Sequence, residues 1–133
     1  MNDKIFVDDK PVLLVVIEKR VQLGAYQLAQ KTMECYAKIN GYKLIQVFID
    51  ESPEMQKLCP QKHIWFRRNC VTLKTLQQNP DIKYLFFFDA DIGVVNPNHR
   101  LEEYINPKYD LSFYERTFDY DIMTGSVIIK YVL

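Results

Sequence analysis

Two aspartates, Asp89 and Asp91, stand one residue apart directly after the aromatic run of YLFFFDADIGVV. Side chains at i and i+2 of an extended segment point the same way. Both carboxylates can then converge on one point just past a strand end, with small Ala90 between them. Two carboxylates in a partly desolvated cleft repel one another unless a cation neutralises them. Oxygen donors suit hard ions such as Mg²⁺ or Mn²⁺. An ion held this way keeps positions for water or a diphosphate, and stabilises the charge that develops on a leaving nucleoside diphosphate. The plainer alternative is a polar turn that happens to end a strand, and the surrounding elements weigh between the two.

Those elements follow an α/β order. Val12 to Ile17 is a continuous, mostly β-branched apolar run, the pattern of a strand buried on both faces. Ala25 to Asn40 has helical spacing, which puts Leu28, Thr32, Cys35, Tyr36 and Ile39 on one face; Asn40-Gly41 stops the helix. Tyr42 to Ile49 reads as a second strand, and Glu51 to Gln61, with two prolines, as a surface loop. Ile64 to Gln78 returns to helical spacing with Trp65, Cys70, Leu73 and Leu76 as core contacts, and Asn79-Pro80-Asp81 breaks it. Tyr84 to Phe88 is the third strand. A short helix over His99 to Ile105 and strands near Leu111 to Tyr114 and Ser126 to Leu133 complete the chain.

Strand–helix–strand–helix–strand is the order of a parallel sheet flanked by helices. Ligands of open α/β sheets bind beyond the carboxyl ends of the strands. Glu18, Asp50 and Asp89 all fall at such ends, which favours a site over an ordinary turn.

Composition bounds the partners. The chain has 133 residues, enough for one domain, and is 48% hydrophobic, enough for a packed core. Seventeen basic residues balance seventeen acidic ones, so no global field favours nucleic acid or an anionic membrane. Any anion must be bound by placed groups. Cys35, Cys59 and Cys70, odd in number and irregularly spaced, fit neither a disulfide framework nor a zinc site, and Cys35 is expected in the core. PVLLVVIEKR is too short to span a bilayer, no targeting segment is visible, and the chain reads as soluble.

YLFFFDADIGVVNP resembles the metal-binding DxD segment of nucleotide-diphospho-sugar transferases of the GT-A fold, and is most similar to the Golgi galactosyl- and mannosyltransferase family and its animal relatives. VLLVVIE resembles the nucleotide-carrying first strand of that family. WFRRNCVTLKTLQQNPDIKYLFFFDAD resembles the helix leading into DxD, and DIMTGSVIIK the later strand that lines the active site. The resemblance implies a partial GT-A (Rossmann-like) sheet, mainly parallel and flanked by helices. It implies a nucleotide-diphospho-sugar donor, a glycan, protein or lipid acceptor hydroxyl, Mn²⁺ or Mg²⁺, a retaining outcome, and residence in the Golgi or secretory pathway.

Residue by residue, the resemblance makes Asp91 the direct metal ligand and puts Asp89 on the metal, its waters or the ribose. Arg67 or Arg68 would approach the diphosphate, the alternative being a solvated helix face. Glu18 would lie near the base or ribose unless it is simply a charged strand end. Thr124, Gly125 and Ser126 would face the sugar or acceptor, though Gly125 also suits a turn. Asp119 and Asp121 suit a loop or acceptor-side role, and His63 and His99 read as solvated. Many of these transferases carry Asn at the position of Met123, and they continue beyond the TG strand to a histidine that completes the metal shell. Residues 1–133 therefore correspond to the nucleotide-sugar-binding portion of one domain, with the C-terminal part missing. A non-catalytic nucleotide- and metal-binding remnant is the alternative function. A haloacid-dehalogenase-like phosphatase, which also uses DxD after an apolar strand, fits less well because Gly93 stands where Thr or Val is required. An unpaired terminal strand with exposed apolar surface predicts self-association.

Overall fold

The computed structural model describes residues 10–132. Strand β1 (Val12–Ile17) is buried along its whole length, as its uninterrupted apolar run requires. It is flanked by β2 (Lys43–Phe48) and β3 (Tyr84–Phe88), both parallel to it, in register from Val12↔Lys43 and Val12↔Leu85. Strands β4 (Leu111–Arg116) and β5 (Asp121–Lys130) form an antiparallel hairpin, and β5 pairs antiparallel with β3. The sheet is mixed, with order β2-β1-β3-β5-β4. It is parallel in its first three strands and flanked by helices. β5 is paired on both sides, so the unpaired terminal edge expected from the sequence is not there, and the strand stops at Lys130. Leu133, in the expected strand, lies outside the described residues.

Helix α1 (Leu23–Asn40) connects β1 to β2, and α3 (Ile64–Gln78) precedes β3. Between them, α2 (Pro53–Leu58) occupies the expected loop, started by Pro53 at its first position and by the Ser52 hydroxyl accepting from Met55 N. Gly41 ends α1 in the left-handed conformation, φ 69°, and Tyr42 N donates to Ala37 O at 2.8 Å, the bond that closes such an end.

β1 alternates between two cores. Leu14 and Val16 pack with Met55, Cys59, Val71, Leu76, Leu85 and Phe87 on the α2–α3 side. Leu13 packs with Met33, Tyr36, Ala37, Tyr42 and Phe86 on the α1 side. Since β2 and β3 lie on opposite sides of β1, α1 and α3 cover opposite faces, and the carboxyl end of β1 is a topological switch point.

Three sequence expectations change. On α1 the buried residues are Gln30, Met33, Tyr36 and Ala37, whereas Leu28 and Ile39 are 80% and 73% exposed and Cys35 is an exposed free thiol. On α3, Val71, Thr72, Thr75 and Leu76 are buried, while Trp65 and Leu73 are exposed. Cys59 and Cys70 form a disulfide that ties the end of α2 to α3. Helix folding back onto helix brings together cysteines 11 positions apart.

Beyond β3 the chain returns to α1. Val94 N donates to Thr32 Oγ1 at 2.9 Å. A Cβ at Gly93 would meet that hydroxyl at 2.9 Å and Ala29 Cα at 3.2 Å, so only glycine lets this loop lie against the helix. Gly93→Ala should therefore lower unfolding free energy by about 1–3 kcal/mol in urea titration; a loss below about 0.5 kcal/mol, the range of neutral surface changes, would show that the loop relaxes freely. Replacing Cys59 and Cys70 together by alanine should cost about 3 kcal/mol through release of the closed loop. The same titration under non-reducing conditions checks this, and unchanged stability would remove the disulfide from any structural role.

Candidate functional site

β3 ends at Phe88, opposite Ser126, and delivers Asp89 to the carboxyl edge of the sheet. Asp89 N donates to Gly125 O at 2.7 Å, extending the β3–β5 ladder by one bond. On its other side β5 pairs Val127 with Phe113 and Met123 with Tyr114, so residues 124–126 form a bulge against β4. Bulges re-aim a strand locally, often beside functional sites. Gly125 is buried there, and a Cβ on it would stand 2.9 Å from Asp89 Oδ2. The TGS segment thus passes directly behind the aspartate.

Asp89 to Ile92 is a turn and not an extended segment, closed by Ile92 N donating to Asp89 O at 3.0 Å. The extended geometry expected from i and i+2 spacing is replaced by a half-buried Asp89 and an exposed Asp91. The turn is held from below by Gln30, 2% exposed, whose Nε2 donates to Ala90 O at 2.8 Å. Gln46 of β2 in turn donates to Gln30 Oε1 at 2.9 Å. A buried amide needs such partners, and here they connect α1 and β2 to the space between the aspartates.

Arg68 of α3 supplies the opposing charge. Its Nη1 pairs with Asp89 Oδ1, and its Nη2 donates to Thr124 Oγ1 at 3.3 Å. Its Nε is buried with no hydrogen-bond partner among the described residues. Burial pushes the Asp89 carboxyl above its ordinary range; Arg68 pulls the other way, and Asp91 adds to the upward push. Desolvation therefore outweighs the one arginine, and further positive charge would favour the ionised carboxylate.

Asp89, Ala90 and Asp91 line a cleft of about 210 Å³ with Glu18 and Arg68, at the switch point beyond β1. Gln22, Tyr26 and Trp65 line it as well and were not singled out as site residues from the sequence. Trp65 carries a readable signal, an aromatic residue one turn before an arginine on a helix aimed at the sheet edge. Arg67 does not line the cleft: its Nε donates to Cys59 O at 2.8 Å and braces α3 against the end of α2. Thr124 lines a neighbouring apolar groove of about 700 Å³ along α3, and Ser126 a groove of about 370 Å³ on the opposite face.

Elsewhere, Asp119 and Asp121 pair with Arg116 at 3.2 and 3.5 Å, which accounts for them as ties within the β4–β5 hairpin. His99 Nδ1 lies 3.0 Å from Glu103 Oε2, and the His63 ring packs at a tilt against Trp65 with centroids 4.8 Å apart.

The donor set fits a hard divalent cation of the kind that takes few protein ligands. Asp91 is open to solvent and Asp89 has an oxygen beyond the one paired with Arg68. Among the described residues no group of three or more His, Cys, Asp or Glu gathers around them. Remaining positions on an ion would fall to water or ligand oxygens, the usual arrangement for Mg²⁺ beside phosphates. No helix among the described residues is long and apolar enough to cross a membrane.

No curated protein matches the chain by sequence. Among solved structures, it is similar to a glycosyltransferase involved in the glycosylation of the major capsid of PBCV-1. The TM-score is 0.70 at 17% identity, over 92% of this chain and 60% of that enzyme. The chain thus has a glycosyltransferase-like fold and spans about 60% of that enzyme's length. A family model described as a protein of unknown function, DUF273, matches residues 33–132, from within α1 through the cleft aspartates to the end of β5, and the chain belongs to that family.

Proposed function

We propose that this chain binds a nucleotide-diphospho-sugar through a divalent cation at Asp89 and Asp91, as the donor-binding domain of a glycosyltransferase. One observation carries the reading. At the carboxyl edge of a glycosyltransferase-like sheet, a half-buried aspartate paired with one arginine shares a cleft with a second, exposed aspartate. Mn²⁺ or Mg²⁺ bound there would neutralise the diphosphate and the charge growing on it as the sugar leaves. Asp91 offers the accessible ligand oxygen and Asp89 the fixed one. The five donors of Arg68 suit diphosphate oxygens. Glu18 and Tyr26 line the end of the cleft beside β1, where ribose and base would lie. Thr124, which accepts from Arg68, would lie toward the sugar.

The acceptor is a hydroxyl of a glycan, protein or lipid, and a retaining outcome follows the resemblance to Golgi galactosyl- and mannosyltransferases. The Cys59–Cys70 disulfide supports a secretory setting, since structural disulfides persist in oxidising compartments.

Calorimetric titration of UDP and GDP, with and without Mn²⁺, followed by a nucleotide-sugar hydrolysis assay, tests the proposal. Manganese-dependent binding with turnover is the expected result; binding without turnover would make the chain a nucleotide-binding module. No binding under any condition would overturn both readings. Asp91→Ala should weaken manganese-dependent binding at least about tenfold while the fold survives, and unchanged affinity would reject Asp91 as a ligand. Gly125→Ala should act on the same quantity by displacing the Asp89 carboxylate, again by about tenfold. An alanine variant with unaltered manganese-dependent binding would show that the β5 bulge does not position Asp89.

A further inference from the structure

Arg68 is paired with the carboxylate that would help hold a cation. Its guanidinium takes one oxygen of Asp89, so a cation on the other oxygen would draw on the same carboxylate charge. Apart from that ion pair, its contacts are few. The hydroxyl of Thr124 is a long contact at 3.3 Å, Nε has no partner among the described residues, and Phe87 lies beneath with its ring centre 5.5 Å from the guanidinium carbon. Arg68 also lines both the aspartate cleft and the larger groove along α3, so open space lies on either side of it.

Charge counting makes the competition directional. Without a cation, three carboxylates, Glu18, Asp89 and Asp91, share the cleft with one guanidinium, and Arg68 is paired with Asp89. A divalent ion on the aspartates cancels their two charges and takes from the guanidinium the counter-charge it holds on Asp89. Breaking a partly buried pair leaves each partner in need of a new one. The ion serves Asp89, and a diphosphate is the anion able to serve Arg68 bidentately.

We infer that Arg68 is an exchangeable counter-ion: it holds Asp89 in the cation-free protein and turns to the diphosphate when a divalent cation takes that carboxylate. The inference rests on the metal and nucleotide reading proposed above. It makes Arg68 a positioning residue that couples the two ligands, so cation and nucleotide strengthen each other's binding by the same factor.

The test is a titration of free Mn²⁺, followed by its electron paramagnetic resonance signal, on wild type and Arg68→Gln, first without nucleotide and then with UDP. Removing the competitor should make nucleotide-free Arg68→Gln bind Mn²⁺ about tenfold more tightly than wild type. The strengthening of Mn²⁺ binding by UDP should shrink in the variant. Equal or weaker Mn²⁺ binding by folded Arg68→Gln would overturn the exchange and leave the metal site standing. Absence of Mn²⁺ binding in both proteins, with or without UDP, would remove the metal reading and the exchange together. If Arg68→Gln does not fold, Thr124→Val loosens the guanidinium without removing it. That variant should tighten nucleotide-free Mn²⁺ binding about twofold, and no tightening would likewise overturn the inference.

Discussion

The site depends on how the end of β3 is tied to β5. Asp89 contributes its backbone N–H to Gly125 O, its carboxylate to Arg68, and its backbone carbonyl to the turn that ends at Ile92. The first bond places the residue under the bulge, where burial desolvates its carboxyl. The second answers that cost incompletely, and the third swings Asp91 out to solvent. A strand, a bulge and a helix meet on one side chain, and each has a local reason to be there. The aromatic run makes β3 a buried strand, Gly125 lets β5 pass at contact distance, and α3 brings the one arginine that lines the cleft among the described residues.

The opposite side of the turn is supported differently. Gln30 is an amide buried in the middle of an amphipathic helix, a place that apolar residues usually take. Its two hydrogen bonds, to Ala90 O and from Gln46, repay that burial and hold the backbone between the aspartates. Thr32 and Gly93 do the same for the loop that leaves the turn. The aspartates therefore sit on a hydrogen-bonded floor and line one cleft, with Asp89 paired to Arg68.

Much of this was legible in the sequence, and the misses have physical causes. Ile64–Gln78 and Tyr84–Phe88 coincide with the elements expected, because a proline break and a continuous apolar run are strong local signals. Gly41 ends α1 as read, for the backbone reason that glycine supplies. The buried face of α1 was misread because periodicity rewards apolar residues, and the helix instead buries Gln30 and exposes Leu28. The disulfide was invisible because spacing along the chain says nothing about two helices folding back on each other. The turn at Asp89 was read as extended because Asp-Ala-Asp carries no proline or glycine to announce a bend. Glu18, Asp89 and Asp91 share one cleft because residues at the carboxyl ends of strands share one edge whatever the details of packing.

Arg67 and Arg68 show why the sequence alone left two arginines as equals. Successive residues on an α-helix point about 100° apart, so neighbours cannot both face one cleft. The choice is made by the other end of the helix interface. Cys59 is fully buried at the close of α2, and its carbonyl accepts from Arg67 while its sulfur is bonded to Cys70. Those two ties fix the rotation of the first turns of α3 about its own axis. With Arg67 drawn toward α2, Arg68 is turned to the sheet edge, one residue on and within reach of Asp89. The disulfide and the cleft thus belong to one arrangement: the covalent tie sets the rotation of α3, and that rotation selects the arginine that meets the aspartate.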